Sequence, residues 1–343
     1  MESLSTQYFE NESKLPTTTN QEHIVYRDSI FNYPLFNAAE WLFGVVPPFL
    51  IVSGTLFNIL NIIVLSTGRF GNVSTRILLT VLALTDTVVL YAALMRSWID
   101  TVWWIDLRML THASCPILTF ISYCSYHFSS WNLVLVTLER FVSVCFPFRA
   151  RKICTKKWTI VALITLACLI SLVNCHFLVF QKIEDNIACT PPRGTYFIFI
   201  TKYFYWADLA MRSGLPFVVI ILCNICIIYT VSRSLSRRNP ASAGESATNQ
   251  GSKLNSMTSM LLVVSFTFIT LTLPVMAFFL YISSAPNSTY SDIARNYFLY
   301  AVTHLLYYLN STVNFILYCL SGSKFRAAVL NLFGVQNCFK HGG

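Results

Sequence analysis

The sequence has few charged residues and lacks the side-chain groupings that most enzymes need. Asp, Glu, Lys and Arg make up 11% of its 343 residues, whereas an ordinary soluble domain carries about 25%. A large soluble enzyme needs far more charge to cover its surface, so that class is excluded. The six histidines are scattered without metal-ligand spacing, and there is no glycine-rich phosphate loop or nucleophile elbow. The sequence therefore does not predict an enzyme.

Two further features are missing from the sequence. It has no internal repeat, which argues against a transporter built from duplicated halves and leaves a membrane transporter as a remote alternative. Residues 1–40 have no positively charged segment followed by an apolar one. We therefore expect no cleaved signal peptide, with the first apolar stretch directing membrane insertion.

In place of charge, the sequence has long apolar stretches. Hydrophobic residues make up 55% of the chain and the mean hydropathy is +0.57. Seven stretches are long enough to cross a bilayer as helices: Trp41–Leu65, Ile77–Met95, Pro116–Val144, Trp158–Phe180, Ser213–Val231, Met257–Ile282 and Tyr297–Leu320. The sequence predicts an all-α membrane protein: a tail over residues 1–40, a seven-transmembrane helix bundle over 41–320, and a short amphipathic cytoplasmic helix with a tail over 321–343.

The basic residues are unevenly distributed between the two predicted sides of the membrane. Fifteen of the 24 Lys and Arg residues lie in the 1–2, 3–4 and 5–6 loops and the C-terminal segment, beside only two acids, Glu139 and Glu245. This asymmetry predicts a cytoplasmic C-terminus and an extracellular N-terminus. It also accounts for the net charge of +9 without nucleic-acid binding. Sequons at Asn11 and Asn287 fall on the outer side and are candidate glycosylation sites.

One carboxylate lies in the middle of the second stretch. A charge at that depth costs about 2.5–3.5 kcal/mol on insertion scales, so Asp86 should face the bundle interior. Asn58, Ser129, Asn310 and Asn314 are candidate partners by depth. The group is either a satisfied polar cluster or a site for a sodium ion, which is the one metal that the sequence suggests.

Several motifs occur in the order and spacing of a known family. The third stretch runs from Cys115 to Glu139-Arg140-Phe141, 140 − 115 = 25 positions later, which is enough to cross the membrane. The others are Asn58, Leu82-Ala83-Leu84-Thr85-Asp86, Pro216, Phe268 with Pro274, and Asn314-Phe315-Ile316-Leu317-Tyr318. This set resembles the class A (rhodopsin-like) G-protein-coupled receptors.

The resemblance implies roles for particular residues. Cys115 would form a disulfide with Cys189. Arg140, paired with Glu139 at rest, would form a switch together with Asn314 and Tyr318. It also implies a plasma-membrane protein whose partners are a heterotrimeric G protein, with arrestin and a receptor kinase as further candidates. Cys338 is a candidate palmitoylation site.

Two departures from the family pattern concern activation. Thr272 stands where a tryptophan normally precedes the proline of the sixth span, and Phe315 follows Asn314 where proline is usual. The resemblance therefore does not say how activation proceeds in this chain.

The family's ligand cavity lies between the outer halves of the helices. Helical spacing and depth predict these lining residues: Arg96, Trp98, Ser122, Tyr123, Tyr126, Asp208, Arg212, Phe278, Phe279, Tyr300, His304 and Tyr308. Ser122 stands where monoamine receptors have an aspartate, and Tyr308 stands where opsins have the Schiff-base lysine. Neither a monoamine nor retinal is therefore expected as the ligand.

The charged members of this set allow two interpretations. Arg96 and Arg212 could clamp a carboxylate while Asp208 takes an ammonium or guanidinium group. Alternatively, Asp208 and Arg212 form an internal pair four residues apart that only closes the cavity.

A narrower resemblance is to invertebrate neuropeptide receptors of the FMRFamide-receptor-like kind and to their chemosensory relatives. It rests on the segments 131–141, Phe146-Pro147 and 310–320. It implies a short amidated peptide as the ligand, with a small chemosensory molecule such as an amino acid as the alternative.

Overall fold

The computed structural model describes residues 32–68, 71–184, 188–236, 245–283 and 289–332. Seven long helices form a bundle in these ranges, with each of the seven predicted stretches inside one of them: α1 (Pro34–Ser66), α2 (Val73–Trp103), α3 (Ser114–Cys145), α4 (Lys156–Phe180), α5 (Thr195–Ser234), α6 (Glu245–Ile282) and α7 (Tyr290–Ser321). The predicted all-α fold is confirmed. The tail before Asn32, the sequons at Asn11 and Asn287, and Cys338 lie outside the described residues.

The helices differ in polarity according to their place in the bundle. In the described part of the chain, five are long and apolar enough to cross a membrane, and these are α1, α2, α4, α5 and α6. The other two, α3 and α7, have 32 residues each and bury many polar side chains. This suits helices that are shielded from lipid, since α3 packs on α2, α4 and α5, while α7 packs on α1 and α6.

Close approach of α1 to its neighbours depends on a small residue. A Cβ atom at Gly54 would lie 2.5 Å from Leu90 Cδ1 and 2.9 Å from Thr312 Oγ1. The glycine therefore lets α1 lie directly against α2 and α7, as small residues commonly do in membrane bundles.

Two helices carry π-helical turns near the disulfide end of the bundle. In α2 the π segment is Leu90–Met95, directly before Arg96. In α5 the π segments are Phe199–Phe204 and Ala210–Gly214, and Arg212 lies in the second. Such turns insert an extra residue and rotate the positions beyond them, and they are frequent at functional sites.

A β-hairpin and one disulfide cover this end of the bundle. Strands β1 (Lys182–Glu184) and β2 (Ala188–Thr190) pair antiparallel, with Ile183 opposite Cys189. Cys189 is bonded to Cys115 at the start of α3. The predicted disulfide is therefore confirmed, and it fixes the hairpin over the bundle.

The other end of the bundle is closed by short elements. A helix over Pro147–Ile153 follows α3, and α8 (Ser323–Leu332) follows α7. The buried Phe325 of α8 packs 5.4 Å from the ring of Tyr318, with Ala328 on the same buried face. The predicted amphipathic helix is thus confirmed over the part of the chain that the structure describes.

Candidate functional site

A cavity of about 490 Å³ opens at the disulfide end of the bundle. Its walls come from α2, α3, α5, α6 and α7, with Phe177 of α4 and the β-hairpin completing them. This volume is within the range of about 300–1,000 Å³ that is typical of small-ligand pockets.

Ten of the twelve predicted residues line this cavity: Arg96, Ser122, Tyr123, Tyr126, Asp208, Arg212, Phe279, Tyr300, His304 and Tyr308. The structure thus brings together side chains from five helices. That they contact a ligand stays a prediction.

The other two predicted residues, Trp98 and Phe278, are not in the cavity lining, so their expected placement is wrong. Trp98 Nε1 donates a hydrogen bond of 3.0 Å to the carbonyl oxygen of Gly44 on α1. Phe278 is 4% exposed and lies edge-on to the ring of Tyr300, filling space between α6 and α7. Two residues along a helix turn the side chain by about 200°, so Trp98 points away from the side that Arg96 occupies.

Sequence reasoning missed part of the cavity wall. Gln181, Thr190 and Lys202 belong to the hairpin segment and to the start of α5. This start precedes the predicted fifth span, because α5 begins at Thr195 and not at Ser213. The aromatic run in residues 196–206 is the signal that could have extended the span.

A charged network occupies the wall between α3 and α5. Asp208 accepts hydrogen bonds from His127 Nε2 at 2.9 Å and from Arg212 Nη2 at 3.0 Å. The ion pair of Asp208 with Arg212 is the internal pair considered from the sequence. His127, which is fully buried, also contacts Asn174 of α4. His127 and Asn174 were not predicted for the site, because a histidine or asparagine inside a span does not indicate which residue it contacts.

Aromatic groups connect this network to α7. The Arg212 guanidinium carbon lies 4.3 Å from the ring centroid of Tyr126, a cation–π distance. The Tyr126 and Tyr308 hydroxyls are 2.7 Å apart and hydrogen-bonded. Residues of α5, α3 and α7 are therefore linked beneath the cavity by direct contacts.

The second arginine of the cavity lies near the loop between α2 and α3. Arg96 Nη1 is 4.0 Å from Asp106 Oδ1, whereas Arg108 Nη2 is 2.8 Å from Asp106 Oδ2. Burial alone would raise the pKa of the Asp106 carboxyl. The hydrogen bonds and charge of Arg108, with a smaller attraction from Arg96, outweigh it and hold that pKa below its ordinary value. Asp106 is thus an anion that belongs mainly to Arg108.

The predicted polar cluster lies at the centre of the bundle. Ser129 Oγ donates to Asp86 Oδ1 at 2.6 Å, and Asn314 Nδ2 donates to Asp86 Oδ2 at 2.8 Å. The third partner is Ser311 in place of Asn310, which is only half-buried. Asn58 reaches the group through the carbonyl oxygen of Ser311. The described residues contain no set of three or more His, Cys, Asp or Glu side chains that could hold a metal.

At the opposite end, Arg140 forms a buried polar group. Its Nε lies 3.0 Å from Glu139 Oε2, and it donates to the hydroxyl of Thr75 on α2. Thr75 in turn donates to Glu139 Oε2 at 3.3 Å. All three side chains are buried.

The two departures from the motif pattern have structural accounts. Thr272 is buried, and its hydroxyl donates a hydrogen bond of 2.7 Å to the carbonyl oxygen of Phe268, four residues earlier in the same helix. Its hydroxyl is therefore satisfied within α6. Phe315 stacks on Phe57 of α1 at 5.7 Å between ring centroids. Neither side chain contacts the cavity.

Comparison with known proteins shows that the chain is similar to seven-transmembrane receptors. The family described as "7 transmembrane receptor (rhodopsin family)" matches residues 57–318. Growth hormone secretagogue receptor type 1 of Sus scrofa is 27% identical over 304 residues, covering 84% of this chain and 79% of that receptor. The FMRFamide receptor of Drosophila melanogaster is 27% identical over 312 residues, covering 85% and 54%. The thyrotropin-releasing hormone receptor of Ovis aries is 25% identical over 311 residues, covering 81% and 74%.

Proposed function

Because the chain belongs to the rhodopsin family of seven-transmembrane receptors, we propose that it binds a short extracellular peptide in the cavity and activates a heterotrimeric G protein. The observation that carries this is the cavity at the disulfide end, in a chain whose named relatives are receptors for peptides. Its size suits a few side chains and not a folded protein.

The proposed orientation places the disulfide end outside the cell and the Arg140 end in the cytosol. Disulfides form in oxidising compartments, which supports this assignment. The basic residues of the loops and C-terminal segment support it independently. The receptor would lie in the plasma membrane, with residues 1–40 outside, the bundle at 41–320 in the bilayer and residues 321–343 inside.

The proposed switch is formed by Glu139, Arg140, Asn314 and Tyr318. At rest, Arg140 pairs with Glu139. On activation it would leave this pair and extend towards the inserted G-protein segment. Arg140 and Glu139 are both buried, so each needs a new partner when the pair separates. This favours two distinct arrangements, one with the pair formed and one with it broken.

The test is a screen of peptides against cells that express the chain with a promiscuous G protein, reading intracellular calcium. We expect a response to at least one peptide class. Arg140→Ala should abolish this response while leaving binding unchanged. Arg295→Ala is the matched control, since Arg295 is exposed and pairs with Asp292 at the opposite end.

Two results would contradict the proposal. If binding and signalling fell together in Arg140→Ala at normal surface expression, the switch assignment would be wrong. A response to free amino acids and to no peptide would favour the chemosensory alternative.

The central cluster fits a sodium ion, which would bind to a carboxylate and uncharged oxygens. Asp86 and the hydroxyls of Ser129 and Ser311 would hold it, and the Asn314 amide, whose nitrogen donates to Asp86 here, would have to turn its oxygen towards the ion. If so, sodium chloride should raise the melting temperature of the purified receptor more than potassium chloride does. Asp86→Asn should remove that difference.

The remaining proposals concern modification and further partners. Glycosidase treatment should increase the gel mobility of the receptor, and Asn11→Gln together with Asn287→Gln should remove the effect. Cys338→Ser should abolish incorporation of a palmitate analogue. Recruitment of arrestin after phosphorylation by a receptor kinase is expected when the ligand is present.

A further inference from the structure

The charged side chains of the cavity are out of balance. Among the described lining residues, Arg96, Lys202 and Arg212 are cationic, while Asp208 is the one carboxylate. Some of these charges are already compensated within the protein, and the others are open to a ligand.

The Asp208 carboxylate is compensated by groups on two helices. Its Oδ1 accepts from His127 Nε2 at 2.9 Å, and its Oδ2 lies 2.9 Å from Arg212 Nη2. The His127 contact is a true donation, because the tautomer is fixed by its other neighbour. Asn174 Nδ2 lies 2.8 Å from the carbonyl oxygen of Ile170, a pure acceptor, so this atom is the amide nitrogen.

The same Asn174 nitrogen lies 3.1 Å from His127 Nδ1. An amide nitrogen can only donate, so Nδ1 accepts and the ring proton is on Nε2, facing Asp208. Asp208 thus receives hydrogen bonds from His127 and Arg212 without any ligand. Its negative charge is already paired with Arg212, so a cationic ligand group would compete with Arg212 for it.

Arg212 is compensated in the same way. Its charge is paired with Asp208, and its guanidinium lies over the ring of Tyr126 at 4.3 Å. The charges on this face of the cavity are therefore already paired within the protein, although the Arg212 Nε, like that of Arg96, has no hydrogen-bond partner among the described residues.

Arg96 is different because its guanidinium makes no hydrogen bond within the described part of the chain. The side chain is 10% exposed, and its Nε has no hydrogen-bond partner. The nearest carboxylate, Asp106, forms a long ion pair with Arg96 at 4.0 Å but accepts three hydrogen bonds from the Arg108 guanidinium. Asp100, one helical turn from Arg96, attracts it electrostatically but forms no ion pair or hydrogen bond with it among the described residues.

A buried cation without hydrogen bonds is unfavourable unless a partner reaches it. The open side of Arg96 is the cavity that it lines. We propose that the ligand carries an anionic group that binds to Arg96, while Asp208 remains an internal partner of His127 and Arg212. This inference rests on the proposed function, since it concerns the ligand of the same cavity.

The ligand therefore carries at least one acidic group. The anion could be a C-terminal carboxylate or an acidic side chain, and an amidated peptide would need the second. A ligand whose charges are all positive is excluded.

The experiment uses three small probes that share the phenylalanine side chain on the purified full-length receptor; the first two differ only in carboxylate against amide. N-acetylphenylalanine is an anion, N-acetylphenylalaninamide is neutral and phenylalaninamide is a cation, and all three suit the aromatic walls. Apparent affinities are measured from the rise in melting temperature with probe concentration. Because no G protein is present, the outcome is independent of whether the chain signals.

We expect the anion to stabilise the wild-type receptor at lower concentration than the other two probes. Charge-assisted hydrogen bonds suggest a preference of roughly 10-fold to 100-fold. Arg96→Gln should remove that preference, and Arg96→Lys, which keeps the charge, should restore part of it. Arg295→Gln, at an exposed arginine outside the cavity, is the matched control and should keep the preference.

Four results would overturn the proposal. The first is an unchanged preference for the anion in Arg96→Gln. The second is a preference that Lys202→Gln removes instead, which would place the anion at the cavity mouth. The third is tightest binding of phenylalaninamide, and the fourth is no stabilisation by any probe at millimolar concentration. If the anion is favoured, peptides ending in a carboxylate, or bearing an acidic side chain with an amide end, distinguish its two sources.

Discussion

The hydroxyl of Thr75 connects both members of the pair at the Arg140 end. It donates to Glu139 Oε2 at 3.3 Å and accepts from the Arg140 guanidinium. Thr75→Val keeps the shape of the side chain and removes these two hydrogen bonds. If the observed arrangement is the resting one, this change should destabilise it relative to the active state and raise basal signalling.

The size of the effect follows from the charges involved. Hydrogen bonds to charged groups contribute about 1.5–3 kcal/mol, and the fully buried Thr75 leaves no route for water to replace them. A loss of about 2 kcal/mol changes an equilibrium by roughly 30-fold. A receptor that is about 1% active at rest would become about one-quarter active.

Basal nucleotide exchange on a G protein, with no ligand added, measures this population directly. Ser74→Ala is the matched control, because Ser74 is the neighbouring buried hydroxyl but bonds to Thr159 on α4 at 2.7 Å. Its basal activity should stay near that of the wild type. If Thr75→Val shows wild-type basal exchange at equal expression, the Thr75 hydroxyl does not hold the resting state.

Three further predictions concern stability. Gly54→Ala should lower the free energy of unfolding by roughly 1–3 kcal/mol through overpacking against α2 and α7. Gly44→Ala is the control and should not lower it, because nothing lies within 4 Å of the added Cβ. The melting temperatures of the two purified variants measure the difference. Replacing both bonded cysteines by serine should lower the stability by roughly 4 kcal/mol, because the bond closes a sequence separation of 74 residues; surface expression and melting temperature would show it. The depressed pKa of Asp106 means that its contribution to stability is present above about pH 4 and is lost as the pH falls through the folded-state pKa. Wild-type melting temperature should therefore fall more steeply below about pH 4 than that of Asp106→Asn.

The bundle could be predicted from the sequence because its signals are local. Span length and apolar content place each helix, and the observed helices contain all seven predicted stretches. The family motifs also predicted the disulfide between Cys115 and Cys189, which the structure contains. The boundary of α5 was missed because Thr195–Gly214 is richer in polar groups and contains two π segments.

The candidate site could be predicted only in outline. Depth along a helix is set by counting residues, and this placed ten side chains on the cavity wall. Which face a side chain occupies depends on a rotation of about 100° per residue. An error of one position is therefore enough to replace Asn310 by Ser311 at Asp86 or to turn Trp98 towards α1.

The sequence by itself determined the long helices of this protein, the depth of its polar residues and its family, because apolar content and motif spacing act over short stretches of chain. Only the tertiary structure decided which charges are satisfied. His127 and Asp208 are 81 residues apart in sequence, and nothing in either stretch specifies their contact. The packing of α3, α4 and α5 makes that contact, and it leaves Arg96 as the buried cation that faces the cavity without a hydrogen bond among the described residues.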